Sequence, residues 1–493
     1  MSNQTLFLPP KYQSRLSPDY YDDALSDRAD TIFQPEIYPA AEALLTATRR
    51  TRIVDVGCGR GSKLAAANAG RKLGIDFGSN IAQCRNDFPA EAEWREFDLG
   101  RSVSAEFIEL IGPEDVIICS DVIEHIPNPN HLLAFLAGCF QRGALVITST
   151  PDRALVRGRD HMGPPPNPAH VREWSCSEYH SLLESNDLPP LYVGLTLNND
   201  QDRQLRTIVS IHEPLLQHSY RPALQRPLAI MSSFNEADVL SDVIAHWIGQ
   251  GCDLHILDNW STDQSWSILT AAANRYGAHV TIERFPGAKP MTASWQDILV
   301  RKEEIAFCHK NRWIIHTDAD EIRQSPFQPY NLADSLALVE AGGWNRVNFT
   351  LLNHRPIDDR PFGPGMLKSE LPYFEFGTQP GHFIQRKAWL QGNVRVNLAE
   401  SGGHLADFSD AHDCPYQFLL HHYPLRSVEH GKRKINHERN GRWAENEVKQ
   451  GWHGHYAHLA GECPLIWDAT NLHDSRNAFW ERHGLQILLG LQR

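Results

Sequence analysis

The chain has 493 residues, which is enough for two or three domains. Hydrophobic residues make up 41% and charged residues 22%, as in ordinary globular proteins. The formal net charge of −13 argues against a general nucleic-acid-binding protein, because neutralising phosphates requires an excess of lysine and arginine.

Cysteine usage and hydropathy bear on the cellular setting. The nine cysteines stand singly, without a C-x-x-C pair, and their number is odd. Such a pattern predicts reduced thiols rather than a disulfide framework. No segment approaches the roughly 20 apolar residues of a membrane-spanning helix. We therefore expect a cytoplasmic protein without a transmembrane segment, for which peripheral membrane contact stays open.

Short apolar runs alternate with helix-length segments along the chain, which is typical of α/β proteins with parallel strands. The pattern restarts after a polar, proline-containing stretch, EPLLQHSYRPALQRP (213–227). We therefore predict a first domain over 1–213, a linker over 214–226 and a second domain over 227–493.

The first candidate site begins in IVDVGCGRGSKL (53–64), which predicts a strand, a glycine-rich turn and a helix. Gly57, Gly59 and Gly61 remove side chains where the backbone turns sharply or approaches a ligand. The amides of such a turn and helix start favour a negatively charged group. A dinucleotide fingerprint would require glycine where Ser62 stands, so the spacing fits a carboxylate-bearing ligand at least as well.

Polar residues follow at the ends of the next predicted strands. Asp76 lies 19 residues beyond Gly57, close to the roughly 20-residue spacing at which an acid meets ribose hydroxyls. Asp98 ends a third strand, where an adenine amino group would donate a hydrogen bond to it. Ser120 ends the fourth strand, just before a predicted helix.

In this order, the four strand ends resemble the class I methyltransferases that use S-adenosylmethionine. The resemblance covers about residues 35–213. It implies a seven-stranded Rossmann-like sheet whose last element is an antiparallel hairpin, predicted over 190–212. The residues that correspond to the cofactor site are Asp55, Gly57, Gly59, Gly61, Asp76, Asp98, Leu99 and Ser120.

A proline-rich stretch, MGPPPNPAHVREWSCSEY (162–179), follows the fifth predicted strand. Acceptors bind over the carboxyl edge of such sheets, so His170, Arg172 and Trp174 are candidates to line a methyl-acceptor pocket. The alternative is a crossing loop whose arginine and glutamate pair with each other. His125 is either a base or a structural histidine, and no base is assigned.

The second candidate site begins at two further strand ends. LAIMSSF (228–234) leads to Ser233 and Glu236, and LHILDN (254–259) ends in Asp258. Because parallel strands present their carboxyl ends at one edge of the sheet, these side chains are expected to contact a nucleoside.

A D-x-D sequence, Asp318-Ala319-Asp320, follows the apolar run RWIIHTD (312–318). Residues i and i+2 of an extended chain point to the same side. Two carboxylates so placed repel each other unless a cation lies beside them. A divalent ion such as Mn²⁺ or Mg²⁺ suits these oxygen ligands and would bridge the phosphates of a nucleotide sugar.

This arrangement resembles family 2-like glycosyltransferases of the GT-A fold over about residues 226–440. The resemblance implies a nucleotide-sugar donor, UDP- or GDP-linked, and inversion at the anomeric carbon. It also implies that Asp320 belongs to the catalytic centre and binds the metal. The residues assigned to the nucleotide sugar are Ser233, Glu236, Asp258, Asp318 and Arg426.

Histidines and acids further along complete the predicted transfer site. Adjacent residues of a strand face opposite ways, so only one of His421 and His422 is expected at the metal, and we favour His422. The tract HGHYAH (453–458) is interpreted as a surface or acceptor loop. The acceptor's proton requires a carboxylate base.

The candidates for that base are Glu400, Glu375 and Glu321. Glu400 is favoured because the glycines that follow it would let a substrate approach. Glu321 is assigned to the catalytic centre as well, where it either takes the proton or holds the metal site in place.

Together these features predict a bifunctional transferase that O-methylates a saccharide or glycan acceptor and adds a sugar to the same or a related acceptor. Two alternatives stay open. In one, an inert methyltransferase-like module serves for binding or docking beside an active glycosyltransferase. In the other, both halves form the single site of one nucleotide-modifying enzyme.

Overall fold

The computed structural model describes residues 2–19, 31–101, 105–218, 225–327, 329–367, 369–377, 381–438, 442–449, 465–477 and 479–491. The chain divides into two compact units. The first contains residues up to 218 together with residues from 480 onward, and the second spans 219–479. The tract HGHYAH lies outside the described residues. No described helix is both long and apolar enough to cross a membrane.

The first unit contains a seven-stranded mixed sheet in the order β3-β2-β1-β4-β5-β7-β6. Its strands are β1 (Arg52–Val56), β2 (Arg71–Asp76), β3 (Glu93–Glu96), β4 (Asp115–Ser120), β5 (Leu145–Pro151), β6 (Tyr192–Leu197) and β7 (Leu205–His212). The first five strands are parallel, whereas β7 runs antiparallel to β5 and β6. This confirms the predicted Rossmann-like sheet and its final hairpin.

Helices connect these strands and cover the sheet. They are α1 (Ile37–Ala47), α2 (Ser62–Ala66), α3 (Gly78–Asp87), α4 (Ala105–Glu109), α5 (Asn130–Gln141), α6 (Arg153–Arg157), α7 (Cys176–Glu184) and α8 (Pro214–His218). The central strands are buried along nearly their whole length, as expected for parallel strands with both faces covered. Their carboxyl ends therefore lie together at one edge.

The last described helix, Phe479–Leu489, packs in the first unit although the second unit precedes it in sequence. The hydroxyl of Tyr192 lies 3.3 Å from the carbonyl oxygen of Trp480. Gly484 permits the contact, because a Cβ there would lie 2.3 Å from the Tyr192 ring. The predicted boundaries place this segment in the second domain, and those functional boundaries stay a prediction.

The second unit contains a ten-stranded mixed sheet with the path β10-β9-β8-β11-β15-β13-β14-β17, and β16 pairs with β12 and β13. Its strands are β8 (Leu228–Ser233), β9 (Asp253–Asp258), β10 (Val280–Arg284), β11 (Trp313–Asp318), β12 (Glu321–Gln324), β13 (Arg346–His354), β14 (Tyr373–Phe376), β15 (Ile384–Leu390), β16 (Phe418–His422) and β17 (His473–Asp474). Strands β8 to β11 are parallel. The GT-A assignment stays a prediction.

The helices of the second unit are α9 (Leu240–Gly249), α10 (Ser265–Tyr276), α11 (Trp295–Phe307), α12 (Leu332–Ala341), α13 (Val428–Lys432) and α14 (Glu445–Lys449). A single turn of π-helix, Arg433–Glu438, continues α13. The core beneath the parallel strands includes Ile230, Leu299, Ile314 and Trp389. This packing aligns the ends of β8, β9 and β11, where the predicted polar residues stand.

Candidate functional site

The turn after β1 requires glycine because of its backbone angles and its close packing. Gly57, Gly59 and Gly61 have φ values of 85°, 52° and 72°, a region that residues with a Cβ rarely adopt. A Cβ on Gly57 would also lie 2.3 Å from Cγ2 of Val122. The turn therefore packs closely against the segment that follows β4.

Asp76 holds this turn from the neighbouring strand. Its Oδ2 accepts a 2.7 Å hydrogen bond from the amide of Gly59, and its Oδ1 accepts one of 2.8 Å from the amide of Phe77. The side chain is buried at the carboxyl end of β2. Its carboxylate is thus held at the end of β2, where the resemblance expects the ribose-binding acid.

Asp55 lies within β1, just before the turn, and accepts a hydrogen bond from the hydroxyl of Tyr38. Burial raises the pKa of Asp55 to about 6, although the Tyr38 hydroxyl and Lys63 act in the opposite direction. The Asp55 side chain therefore links β1 to Tyr38 of α1.

The remaining predicted cofactor residues differ in exposure. The Asp98 side chain is 38% exposed and forms an ion pair with Arg101 at 3.1 Å. It also accepts a 2.9 Å hydrogen bond from the amide of Gly100. Leu99 is buried in the hydrophobic core, so its side chain packs rather than contacts solvent. The Ser120 hydroxyl lies 2.8 Å from that of Ser149 on β5.

Two acids that the sequence analysis did not single out follow β4. Asp121 has a φ of 54°, and the Ser149 hydroxyl donates to it at 3.3 Å. Glu124 is fully buried and accepts a 3.0 Å hydrogen bond from Thr150. Burial raises the pKa of Asp121 to about 6 and also raises the pKa of Glu124. The segment SDVIEHI (120–126), with two acids directly after a strand, was the signal that could have identified them.

Two histidines lie beside Glu124. His125 places Nδ1 3.1 Å from the carbonyl oxygen of Ala169, and His170 places Nδ1 2.7 Å from Oε1 of Glu173. Their rings meet edge to face with centroids 4.7 Å apart. Burial, with His170 adding to it, lowers the pKa of His125 to about 3. His170 thus lies beside His125 and Glu124, and its predicted role in an acceptor pocket stays a prediction.

The other two predicted acceptor residues are structural. Arg172 is buried and donates to the carbonyl oxygens of Ile126 and Pro127 at 3.0 and 2.8 Å. Trp174 is fully buried, and its indole N–H donates to the carbonyl oxygen of Leu6 at 2.9 Å. Both side chains are thus bonded within the fold, which argues against the acceptor contacts predicted for them.

In the second unit, Asp318 ends β11 and is partly exposed. Its Oδ1 accepts a 2.7 Å hydrogen bond from Ser232 and lies 3.6 Å from Nζ of Lys302. Lys302 is fully buried, and burial lowers its pKa to about 8. The carboxylate of Asp318 is therefore fixed at the strand end with one side facing outward.

Asp320 is buried among cationic groups. Its Oδ2 accepts a 2.9 Å hydrogen bond from Nζ of Lys434 and lies 3.8 Å from Nε2 of His422. Burial alone would raise the pKa of Asp320, but Lys434, His422 and Arg426 hold it below its ordinary value. Asp320 thus remains a carboxylate.

The two adjacent histidines of β16 face opposite sides. His422 places Nδ1 2.9 Å from the side-chain oxygen of Asn353, so its Nε2 is directed toward Asp320. His421 instead contacts His354 at 3.0 Å and Gln324 at 3.3 Å. The alternation predicted for these residues is present, and His422 is the one beside the D-x-D carboxylate.

Arg426 and Glu236 form a buried ion pair, so each charge is paired within the protein. Arg426 is buried, donates to Glu236 and makes two 2.8 Å hydrogen bonds to Asp238. Nζ of Lys434 lies 3.1 Å from the other oxygen of Glu236. This geometry argues against the predicted contacts of Arg426 with a diphosphate and of Glu236 with a nucleoside.

Asp258 and Ser233 are neighbours across β8 and β9. Asp258 is fully buried, accepts a 3.2 Å hydrogen bond from the amide of Ser261 and lies 3.7 Å from Arg284. Within the described residues, Oδ1 of Asp258 and the hydroxyl of Ser233 have no hydrogen-bond partner. Buried polar atoms of this kind are rare, so these two strand ends still offer polar contacts.

The three candidate bases differ in burial and in their ionic partners. Glu321 is buried and accepts hydrogen bonds of 2.9 Å from Lys387 and 2.8 Å from Arg323. These cations help to hold its pKa well below its ordinary value despite burial. A carboxylate so paired is a poor proton acceptor, which argues against the predicted catalytic role. Glu400 is exposed on a short 3₁₀ turn. Glu375 pairs with Arg355 at 2.8 Å.

Comparisons with known proteins concern the first unit. Residues 20–199 match a family described as a methyltransferase domain. A ubiquinone biosynthesis O-methyltransferase of Methylococcus capsulatus is 35% identical over 112 residues, covering 21% of this chain and 45% of the relative. One of Burkholderia orbicola is 27% identical over 179 residues, covering 31% and 74%. The chain spans about half the length of the first curated relatives that it matches.

Among solved structures, the 1,6-didemethyltoxoflavin-N1-methyltransferase of Burkholderia thailandensis is 16% identical with a TM-score of 0.27, covering 36% of this chain and 78% of that chain. The family match coincides with the glycine turn, the acidic strand ends and the seven-stranded sheet described above. Residues 20–199 therefore form a domain of the class I S-adenosylmethionine-dependent methyltransferase family.

Proposed function

We propose that the first unit binds S-adenosylmethionine and transfers its methyl group to a hydroxyl of a saccharide or glycan acceptor. The observation that carries the proposal is the bond between Gly59 and Asp76, which joins the glycine turn to the acid expected at the ribose. The unsubstituted backbone at Gly57 fits the close approach of such a ligand. The preference for oxygen acceptors rests on the O-methyltransferases among the relatives.

Titration calorimetry of the full chain with S-adenosylmethionine tests this half of the proposal. We expect binding in the wild type and at least tenfold weaker binding in Asp76→Ala. The matched control is Asp87→Ala, because Asp87 is an exposed acid of α3 in the same unit. Absence of binding heat in a folded wild-type chain would favour the inert docking module.

We propose further that the second unit transfers a sugar from a nucleotide-sugar donor with the help of a divalent ion. Support comes from Asp318, Asp320 and His422, which stand near the ends of β11 and β16. The hydrogen bond that Nδ1 of His422 donates to the side-chain oxygen of Asn353 directs Nε2 of His422 toward Asp320, as supporting bonds orient metal-bound histidines. These donors fit a divalent ion, which would neutralise charge on the departing diphosphate.

A screen of UDP- and GDP-linked sugars with and without Mn²⁺ tests this second half. We expect sugar transfer that depends on Mn²⁺ and that Asp320→Asn abolishes. Asp334→Asn is the matched control, because Asp334 belongs to the first turn of α12 and has no place in the proposed centre. Full transfer in excess chelator would contradict the assignment. The presence of both activities on one chain would suit successive modification of related acceptors.

A further inference from the structure

Three potential metal ligands converge at the carboxyl edge of the first sheet. Glu124, His125 and His170 each offer one ligand atom, and these atoms lie within 4.8 Å of one another. The group is separate from the D-x-D centre, which belongs to the second unit. It combines one carboxylate and two imidazoles, a set that suits Zn²⁺, Mn²⁺ and related ions.

Both histidines are held as metal-binding histidines are held elsewhere. A carbonyl oxygen at Nδ1 of His125 and a carboxylate at Nδ1 of His170 keep the proton on those nitrogens. The lone pair of each neutral ring is then on Nε2. Glu173 is itself anchored by Arg157 at 2.8 Å. A carboxylate or carbonyl behind a ligating histidine is the usual supporting partner.

Glu124 supplies the independent observation. It is fully buried, and Thr150 occupies its Oε2 at 3.0 Å. Its Oε1 is buried and has no hydrogen-bond partner among the described residues. A buried carboxylate oxygen without a partner is costly. A cation held with the neighbouring histidines would remove that cost.

The position of the cluster connects it to the methyl donor. Val122, whose side chain packs against the Gly57 turn, lies only two residues before Glu124. The cluster therefore stands beside the turn expected to hold S-adenosylmethionine, on the side where acceptors bind in such sheets.

We propose that Glu124, His125 and His170 bind a divalent metal ion that takes the acceptor hydroxyl as a further ligand. The ligand role of the acceptor rests on the methyl transfer proposed above, whereas metal binding does not. Three protein ligands leave a position for a substrate oxygen, as in catalytic zinc sites. The ion would lower the pKa of the bound hydroxyl as it does for bound water, so the transfer needs no protein side chain as a base.

The transfer balances without another reactant. The acceptor O–H bond breaks and its proton passes to solvent, while the oxygen forms a bond to the methyl carbon. The bond from that carbon to the sulfonium sulfur breaks, and its electron pair stays on sulfur. The products are the methyl ether, S-adenosylhomocysteine and one proton.

Metal titration of the full chain tests the site. The chain carries His422→Gln to remove the candidate ligand of the second unit, is stripped with chelator, and is titrated with Co²⁺ followed by its visible absorption. We expect one tight site with nitrogen and oxygen ligands. His170→Gln and Glu124→Gln are expected to weaken binding at least 100-fold, and Glu173→Gln about tenfold, as second-sphere changes do.

His180→Gln is the matched control, because His180 is a half-exposed histidine of α7 in the same unit. It is expected to leave the Co²⁺ affinity unchanged. Unaltered Co²⁺ affinity in His170→Gln and Glu124→Gln, or no tight site in the parent chain, would overturn the proposal. Calorimetry with S-adenosylmethionine on the same samples checks folding and separates the two ideas. Donor binding without the metal site refutes only the metal proposal, and a metal site without donor binding refutes the proposed methyl transfer.

Discussion

The backbone amide of Gly59 donates a 2.7 Å hydrogen bond to Oδ2 of Asp76, and this bond joins the turn after β1 to the end of β2. Asp76, which we propose binds the ribose, therefore also holds the turn. Changes in the turn should therefore alter donor affinity even where they touch no ligand atom.

Gly57→Ala is expected to abolish measurable S-adenosylmethionine binding and to destabilise the first unit. Its φ of 85° costs a residue with a Cβ about 1–2 kcal/mol, and the overlap with Val122 adds about 1–3 kcal/mol. Denaturant unfolding and calorimetry measure the two effects. The double variant Gly57→Ala with Val122→Ala should recover only the steric part. Full recovery would mean that the backbone angle imposes no cost.

Asp55→Asn is expected to flatten the pH dependence of stability between about pH 4 and pH 6. Burial raises the pKa of Asp55 from 3.8 to about 6. A raised pKa means that stability is highest below the unfolded value and is lost as pH rises through the folded value. The shift corresponds to about 3 kcal/mol. Denaturant unfolding of wild type and variant from pH 4 to 7 measures it, and parallel curves would contradict it.

Lys434→Met is expected to destabilise the second unit by about 3 kcal/mol at pH 7, because it leaves Asp320 buried without its ammonium partner. Asp320 has a lowered pKa, so its contribution is present above the ordinary value of 3.8 and is lost as pH falls below it. The difference between variant and wild type should therefore shrink in acid. Denaturant unfolding at pH 7 and pH 3 measures the change. Lys432→Met, at an exposed lysine of α13, is the control.

Arg172→Met is expected to lower stability by about 1–3 kcal/mol, because two backbone carbonyl oxygens lose their donors. The affinity for S-adenosylmethionine should stay within twofold of wild type, since the Arg172 guanidinium is bonded to the backbone of Ile126 and Pro127. Thermal unfolding and calorimetry check both points against Arg159→Met, an exposed arginine of the same unit. Unchanged stability with a raised acceptor KM would restore the pocket-lining role.

Strand ends were predictable because they depend on local patterns. Apolar runs ending in a polar residue located Asp76, Asp258 and Asp318 at the last residues of β2, β9 and β11. The alternation of side chains along a strand also separated His421 from His422. These inferences need only the period of a strand and the common edge of parallel strands.

Pairings between distant segments were not predictable from one sequence. Arg426 meets Glu236 190 residues away, and Trp174 meets the carbonyl of Leu6 168 residues away. An arginine or tryptophan in a polar loop has the same local pattern whether it binds a ligand or the scaffold. Glu124 and His170 come together only because β4 and β5 are neighbours in the sheet.

The helix Phe479–Leu489 closes the first unit with residues that are synthesised after the second unit. Its buried face, which includes Leu485, Ile487 and Leu488, is absent while the second unit is being synthesised. The part of the first unit that contacts this helix therefore stays uncovered until the second unit has been synthesised. The first unit therefore reaches its complete fold only after the second unit has had time to fold.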